Sequence, residues 1–257
     1  MKTLLACCWT ISLACAQADK PAPRMDHNSQ IAHEQLLEKA KQGRTDIYFE
    51  GDSITRRWGA TDYPQLLENW KANFFGWNAA DFGWGADRVQ NILWRLENGE
   101  LDGVHPKVIV LLGGTNNVGG RVSPDPDRLI EDVTAGLQAV IRVMQEKAPD
   151  AVIIVTAIFP RNDNIAVMPE IEKINANLAK MADGKKIRYL NINDKLAGPD
   201  GRLFDGMMNE RDHLHPTVKG YQVWADALKP IFIELLGPPA KEDHAPPPTG
   251  DPSAARR

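Results

Sequence analysis

The sequence predicts a doubly wound α/β sandwich of three layers, built on a mainly parallel sheet within a single domain. Two observations carry this. Strand-like and helix-like runs alternate from about Ser29 to Leu236, the order that parallel βαβ units require. Two of the strand runs, "KVIVLLGGTNN" and "AVIIVTAIFP", are apolar almost throughout, as expected of strands covered on both faces. The hydrophobic share of 43% and charged share of 25% are ordinary for a packed soluble domain, so neither a fibre nor a wholly disordered chain is expected.

The elements follow in chain order. Residues 1–18, "MKTLLACCWTISLACAQA", carry one lysine, an apolar run and small residues spaced as A-x-A. This is the layout of a cleaved secretory signal peptide, with cleavage expected after Ala16 or after Ala18. The apolar run is too short to span a bilayer, which takes about 20 residues. Anchoring through a lipidated Cys15 is disfavoured, because Ser12-Leu13-Ala14 is a poor context for it. All three cysteines, Cys7, Cys8 and Cys15, lie in this leader, so cleavage leaves no thiol for nucleophilic catalysis, for a thiolate metal site or for a disulfide.

"SQIAHEQLLEKAKQG" reads as a helix with Ser29 as N-cap and Gly43 beyond its end. "DIYFEGDS" is the first strand, "DYPQLLENWKANF" a helix, and "GWNAADFG" a short second strand. In "ADRVQNILWRLENG", Val89, Ile92, Leu93 and Leu96 share one helical face. After the strand "KVIVLLGGTNN" comes a long amphipathic helix over "PDPDRLIEDVTAGLQAVIRVMQEKAPD". The strand "AVIIVTAIFP", the helix "PEIEKINANLAKMADG", the strand "KIRYLNIND" and a final helix "TVKGYQVWADALKPIFIELLG" complete the body. The domain is therefore expected over residues 29–237. Residues 238–257, "PPAKEDHAPPPTGDPSAARR", are rich in proline and charge and are expected to be a disordered tail.

Function is sought where such a sheet concentrates it, at the carboxyl ends of the strands. Four distant segments end there in small or reactive residues: "GDS", "FGWGAD", "GGTNN" and "DHLHP". Ser53 needs a base to become a nucleophile. Of the six histidines, His27 and His33 precede the core, His244 is in the tail, and His105 enters a strand from its amino end. His213 and His215 remain. Asp212 stands three residues before His215, a spacing that lets a tight turn set the carboxylate against the imidazole.

Other readings are open at this level. An isolated Gly-Asp-Ser serves equally well as a helix N-cap, and Asp212, His213 and His215 are also metal-ligand types. The net charge of −4 and the absence of a basic stripe argue against a nucleic-acid partner. No segment is long and apolar enough for stable membrane insertion as a helix.

Taken together, "GDSIT", "FGWGAD", "GGTNN" and "DHLHP" resemble the four ordered blocks of the SGNH, or GDSL, hydrolase superfamily. "ADRVQNILWRLENGELDGVHPKVIVLLGGTNN" and "IFPR" resemble most closely its branch containing the catalytic subunits of platelet-activating-factor acetylhydrolase. The resemblance implies the flavodoxin-like SGNH fold and a serine esterase without metal or organic cofactor. It assigns Ser53 as nucleophile, His215 as general base and acid, and Asp212 as its orienter. It further implies an oxyanion hole made of the backbone N–H of Ser53, the backbone N–H of Gly83 and the side-chain amide of Asn116.

Two departures from the superfamily pattern are visible, Asn117 for the usual Asp and Ala86 for a usual Gly. Trp58 and Trp84, beside the nucleophile and oxyanion blocks, and Arg161, after the fourth strand, are expected to wall the substrate site. The resemblance implies a small acyl group, probed best with acetyl esters. Export suggests acetylated carbohydrate as the substrate, with a lysophospholipase or thioesterase and a non-catalytic glycan-binding module as the alternatives. Oligomeric state is not readable from the sequence.

Overall fold

The computed structural model describes residues 17–253. The expected leader therefore lies, apart from its last two residues, outside the described chain, as do its three cysteines.

Five parallel strands form the sheet: β1 (Ile47–Gly51), β2 (Ala79–Asp81), β3 (Val108–Leu112), β4 (Val152–Thr156) and β5 (Ile187–Leu190), in the order β2-β1-β3-β4-β5. Phe49 pairs with Asp81 on one side and Val110 on the other. The chain runs from β1 out to β2 and then returns to place β3 on the opposite side of β1. The order thus reverses between β1 and β3, and the crevice at that switch point is where α/β sheets of this kind bind ligands.

Side-chain alternation along the strands divides the core in two. On one face Tyr48, Ile109, Leu111, Ile153 and Val155 pack against α1 (His27–Ala40), α4 (Val89–Arg95), α6 (Pro126–Lys147) and α7 (Met168–Ala179). On the other, Ile47, Phe49, Val108, Val110 and Ile154 pack against α2 (Ser53–Gly59), α3 (Pro64–Phe74) and the last helix, α9 (Val218–Leu236). Two one-turn helices, α5 (Thr115–Val118) and α8 (Asn193–Leu196), sit between these elements. The doubly wound three-layer architecture is therefore as the sequence predicts.

Three boundaries differ from expectation. Helix α1 is capped by Asp26, whose carboxylate accepts from Ser29 N–H at 3.0 Å, because the Asp three residues earlier satisfies the first turn that Ser29 was expected to cap. The packed body also begins before residue 29. Ala18 is wholly buried in the core and donates its N–H to Asp132 Oδ1 at 2.9 Å.

The third difference is the C-terminal segment, which does not leave the body as a disordered tail. Ala240 N–H donates to Gly76 O, His244 N–H to Asn78 Oδ1, Arg44 N–H to His244 O and Thr61 N–H to Thr249 O. Its prolines, Pro246 to Pro248, roof a cavity of about 350 Å³ over Leu67, Trp70 and Phe74. Proline-rich composition lowers the entropy lost on ordering, and so is compatible with a docked extended strap as well as with disorder. Among the described residues no helix is long and apolar enough to cross a membrane.

Candidate active site

Strand β1 ends at Gly51, and a single residue, Asp52, turns the chain directly into α2. Asp52 caps that helix, its Oδ1 accepting from Ile54 N–H at 2.9 Å. Its other oxygen is buried and has no partner among the described residues. Burial pushes the Asp52 carboxyl up to about 7. The cap places Ser53 in the first turn of α2, where backbone N–H groups have no intrahelical acceptor. Glycine is required at 51, since a Cβ there would lie 2.2 Å from Leu112 O.

Across the switch point, the loop before α9 brings His215 and Asp212 to this serine. Ser53 Oγ lies 2.9 Å from His215 Nε2, and His215 Nδ1 lies 2.8 Å from Asp212 Oδ2. The second carboxylate oxygen of Asp212 accepts the backbone N–H groups of Leu214 and His215 at 3.1 and 3.0 Å. Burial raises the Asp212 carboxyl, but these N–H donors and the imidazole outweigh it and hold the group below its ordinary value. Burial lowers the His215 imidazole, Arg57 reinforces this, and both prevail over Asp212. A neutral imidazole held between a hydroxyl and a carboxylate can accept the serine proton. His213, with positive φ of 48°, is exposed and takes no part in this line of contacts.

Gly83 does not supply an oxyanion donor. Its N–H donates to Asp81 Oδ1 at 2.8 Å, and its hydrogen pseudo-Cβ faces the back of α2: a methyl there would lie 2.7 Å from Arg56 N and 2.8 Å from Thr55 Cβ. The glycine is needed for close packing of the loop on α2 rather than for approach to a substrate. Further along, Trp84 N–H donates to Gly51 O at 3.0 Å. The N–H groups of Gly85 and Ala86 have no partner among the described residues. Ala86 is exposed and holds φ at 63°, a left-handed conformation that costs a non-glycine residue about 1–2 kcal/mol.

Asn116, in α5 at the end of β3, donates one amide hydrogen to Asp87 O at 2.8 Å, which leaves its second hydrogen for a ligand. Asn117 holds the same loop from the other side, accepting from Val89 N–H and donating to Gln90 Oε1. The Asn in place of Asp thus serves as both acceptor and donor, a pairing that a carboxylate cannot make.

Two expected wall residues have other tasks. Trp58 is wholly buried among Phe49, Trp70, Phe74, Tyr221 and Trp224, with its Nε1 donating to Asn69; an amphipathic helix turned its indole into the core. Arg161 is 5% exposed and makes four hydrogen bonds, donating to Thr115 O, Thr115 Oγ1 and both oxygens of Asp163. It is buried and braces the turn that carries Asn116. Trp84 is half-buried, its Nε1 donating to Ser29 Oγ at 2.8 Å and its ring 4.9 Å from the Arg56 guanidinium.

A buried charge cluster beneath the site was not foreseen. The Arg95 guanidinium donates to Glu50, Asp87 and Glu100 and to the carbonyl of Phe82. It therefore ties the end of β1 to the loop after β2. Burial, with Glu100 beside it, pushes the Glu50 carboxyl upward despite Arg95, and Asp87 is raised to about 6 by burial. The available signal was a charged residue at the core-facing position of the helix "NILWRL".

Comparison with known proteins agrees with this architecture. Residues 49–223 match the model of the GDSL-like lipase/acylhydrolase family. The chain is 29% identical over 241 residues to the platelet-activating factor acetylhydrolase IB subunit alpha1 of Bos taurus, covering 91% of this chain and 97% of that one. A GDSL-like lipase of Bacteroides thetaiotaomicron superposes with a TM-score of 0.62 at 18% identity, over 80% of this chain and 98% of the other. A carbohydrate esterase family 3 protein from Talaromyces cellulolyticus does so with a TM-score of 0.51 at 17% identity, over 75% and 98%. At these identities the two structures show likeness of fold.

Proposed function

The chain belongs to the GDSL-like lipase/acylhydrolase family, and from that premise we propose that it is an exported serine esterase removing short acyl groups, acetyl first, from carbohydrate. The observation that carries the chemistry is the unbroken line Ser53 Oγ, His215 Nε2, His215 Nδ1 and Asp212 Oδ2, with contacts of 2.9 and 2.8 Å. Ser53 Oγ attacks the ester carbonyl while His215 Nε2 takes its proton. The tetrahedral oxyanion accepts from Ser53 N–H, from the second amide hydrogen of Asn116 and from Ala86 N–H, which directly precedes the residue whose carbonyl holds Asn116. Collapse expels the alcohol, which leaves with the proton from His215. Water then repeats the sequence on the acyl-enzyme and releases the acid.

The short acyl preference rests on the acetylhydrolase relatives. Export rests on the leader, and Ala18 favours cleavage after Ala16: its N–H is bonded to Asp132 and its methyl is buried, so removing it would open the body. The N-terminal mass of the exported protein is expected to begin at Gln17.

The functional reading is tested by hydrolysis of p-nitrophenyl acetate against p-nitrophenyl octanoate, in the wild type and in Ser53→Ala. Preference for acetate that vanishes in Ser53→Ala, with the fold retained, is the expected result. Undiminished turnover in Ser53→Ala overturns the mechanism, and preference for octanoate transfers the substrate to lipids.

A further inference from the structure

A second cavity of about 280 Å³ lies between the amino-terminal half of α1 and α4. Helix α1 leads into β1, so its amino end stands at the carboxyl edge of the sheet, beside the oxyanion loop. That loop forms part of the cavity wall through Trp84. The adjoining Gly85 carbonyl accepts from Arg24 Nη1 at 3.2 Å, which joins the cavity's rim to the segment carrying Ala86.

The lining is unusual in its chemistry. It holds two indoles, Trp84 and Trp94, and otherwise polar side chains, with no aliphatic residue among those that line it. Trp84 is fixed by its bond to Ser29, and Trp94 packs against the His33 ring at 4.8 Å. His33 Nδ1 is held by Glu100 at 2.7 Å, which leaves Nε2 for a ligand. Gln30 and Glu34, one turn apart on exposed positions of α1, have no side-chain partner among the described residues. The cationic groups are otherwise engaged: Arg24 on Asp26 and Asp87, Arg95 on its three carboxylates.

An acyl chain would need aliphatic walls, and a phosphate would need a free guanidinium or ammonium; neither is offered. A pyranose ring needs what is there. Its axial C–H face stacks on an indole, and its equatorial hydroxyls both donate and accept. We propose that this cavity is a subsite for one neutral sugar ring of the substrate's alcohol portion. The inference rests on the esterase reading above for its place in the reaction. Trp94 would be the stacking platform, and Gln30, His33 Nε2 and Glu34 the hydroxyl partners.

The test is a calorimetric titration of acetylated xylo-oligosaccharide into the Ser53→Ala chain, which holds substrate without turning it over. Adding Trp94→Ala is expected to weaken binding at least tenfold. Glu34→Ala, on an exposed turn where truncation leaves the fold intact, is expected to weaken it three- to tenfold, with unchanged thermal melting as the control on both. Absence of binding to Ser53→Ala, or binding unmoved by Glu34→Ala and Trp94→Ala, overturns the subsite. Hydrolysis of p-nitrophenyl acetate by the wild type separately decides the esterase reading, since that small ester does not need the cavity.

Discussion

At the scale of single residues, the site is governed by which hydrogens are already engaged. Gly83 lies in the expected block, but its N–H belongs to Asp81, whereas Asn116 has one amide hydrogen on Asp87 O and one left over. Removing that second hydrogen with Asn116→Ala is expected to lower kcat by about 10²- to 10³-fold with KM little changed, as for other single oxyanion donors; steady-state kinetics on p-nitrophenyl acetate checks it. His215 is held below its ordinary value of 6.5 by burial and by Arg57, against Asp212. The base form therefore persists into mild acid, and the acid limb of kcat/KM should fall below pH 6.5. Neutralising one cause in Arg57→Gln should move that limb to higher pH, and a pH–rate profile that stays in place would remove Arg57 from the account. That Ser53, His215 and Asp212 could meet was legible in the sequence, because all three stand in blocks expected at the carboxyl edge of the sheet, and the structure brings them into one line of contacts. Ala86 in place of Gly83 was not legible, because a free N–H is a property of a bond made or not made elsewhere.

At the scale of elements, the end of β1, α2, the loop after β2 and α4 form one rigid block around buried charge. Asp52 caps α2 and Arg95 gathers Glu50, Asp87 and Glu100 between two strand ends. Asp52 at about 7, Asp87 at about 6 and Asp81 at about 6 are all raised by burial above the ordinary value of 3.8. The folded state therefore binds more protons than the unfolded chain between pH 4 and pH 7. Their contribution to stability is fully present below about pH 4 and is lost as pH rises through these folded values. His215 acts in the opposite sense over a narrower range below 6.5. Acids that are lowered, such as Asp163 and Asp212, lose their contribution only as pH falls beneath the ordinary carboxylate range. The melting temperature is thus expected to be higher at pH 5 than at pH 8, and Asp52→Asn, which keeps an oxygen for Ile54 N–H but cannot ionise, should reduce the difference. A slope identical to wild type would mean that Asp52 does not titrate in this window. Periodicity located these helices well. It could not show that Arg95 sits inside, because a charged side chain on an apolar face reads as an interruption until its three partners are known.

At the scale of the whole molecule, both ends of the described chain are parts of the body: Ala18 fills the core against α6, and the segment after Gly237 lies along α3 and the loop at Gly76. Deleting residues 238–257 should expose the cavity over Trp70 and Phe74, with increased binding of an apolar dye and a lower melting temperature. Each kcal/mol lost corresponds to about 2–4 °C in a domain of this size; an unchanged melt would show the strap to be unnecessary for stability. By itself the sequence determined the alternation of elements, the parallel sheet and the four blocks at its carboxyl edge, because these depend on hydrophobic period and local turn chemistry, which are written residue by residue. The tertiary structure alone decided that the strand order reverses between β1 and β3, that Ser53 and His215, 162 positions apart, meet at 2.9 Å, that Trp58 turns inward while Trp84 and Trp94 wall a cavity, and that a proline-rich end docks. Each of those outcomes depends on which distant surface covers a given group, and burial of that kind is a property of the assembled fold rather than of any segment.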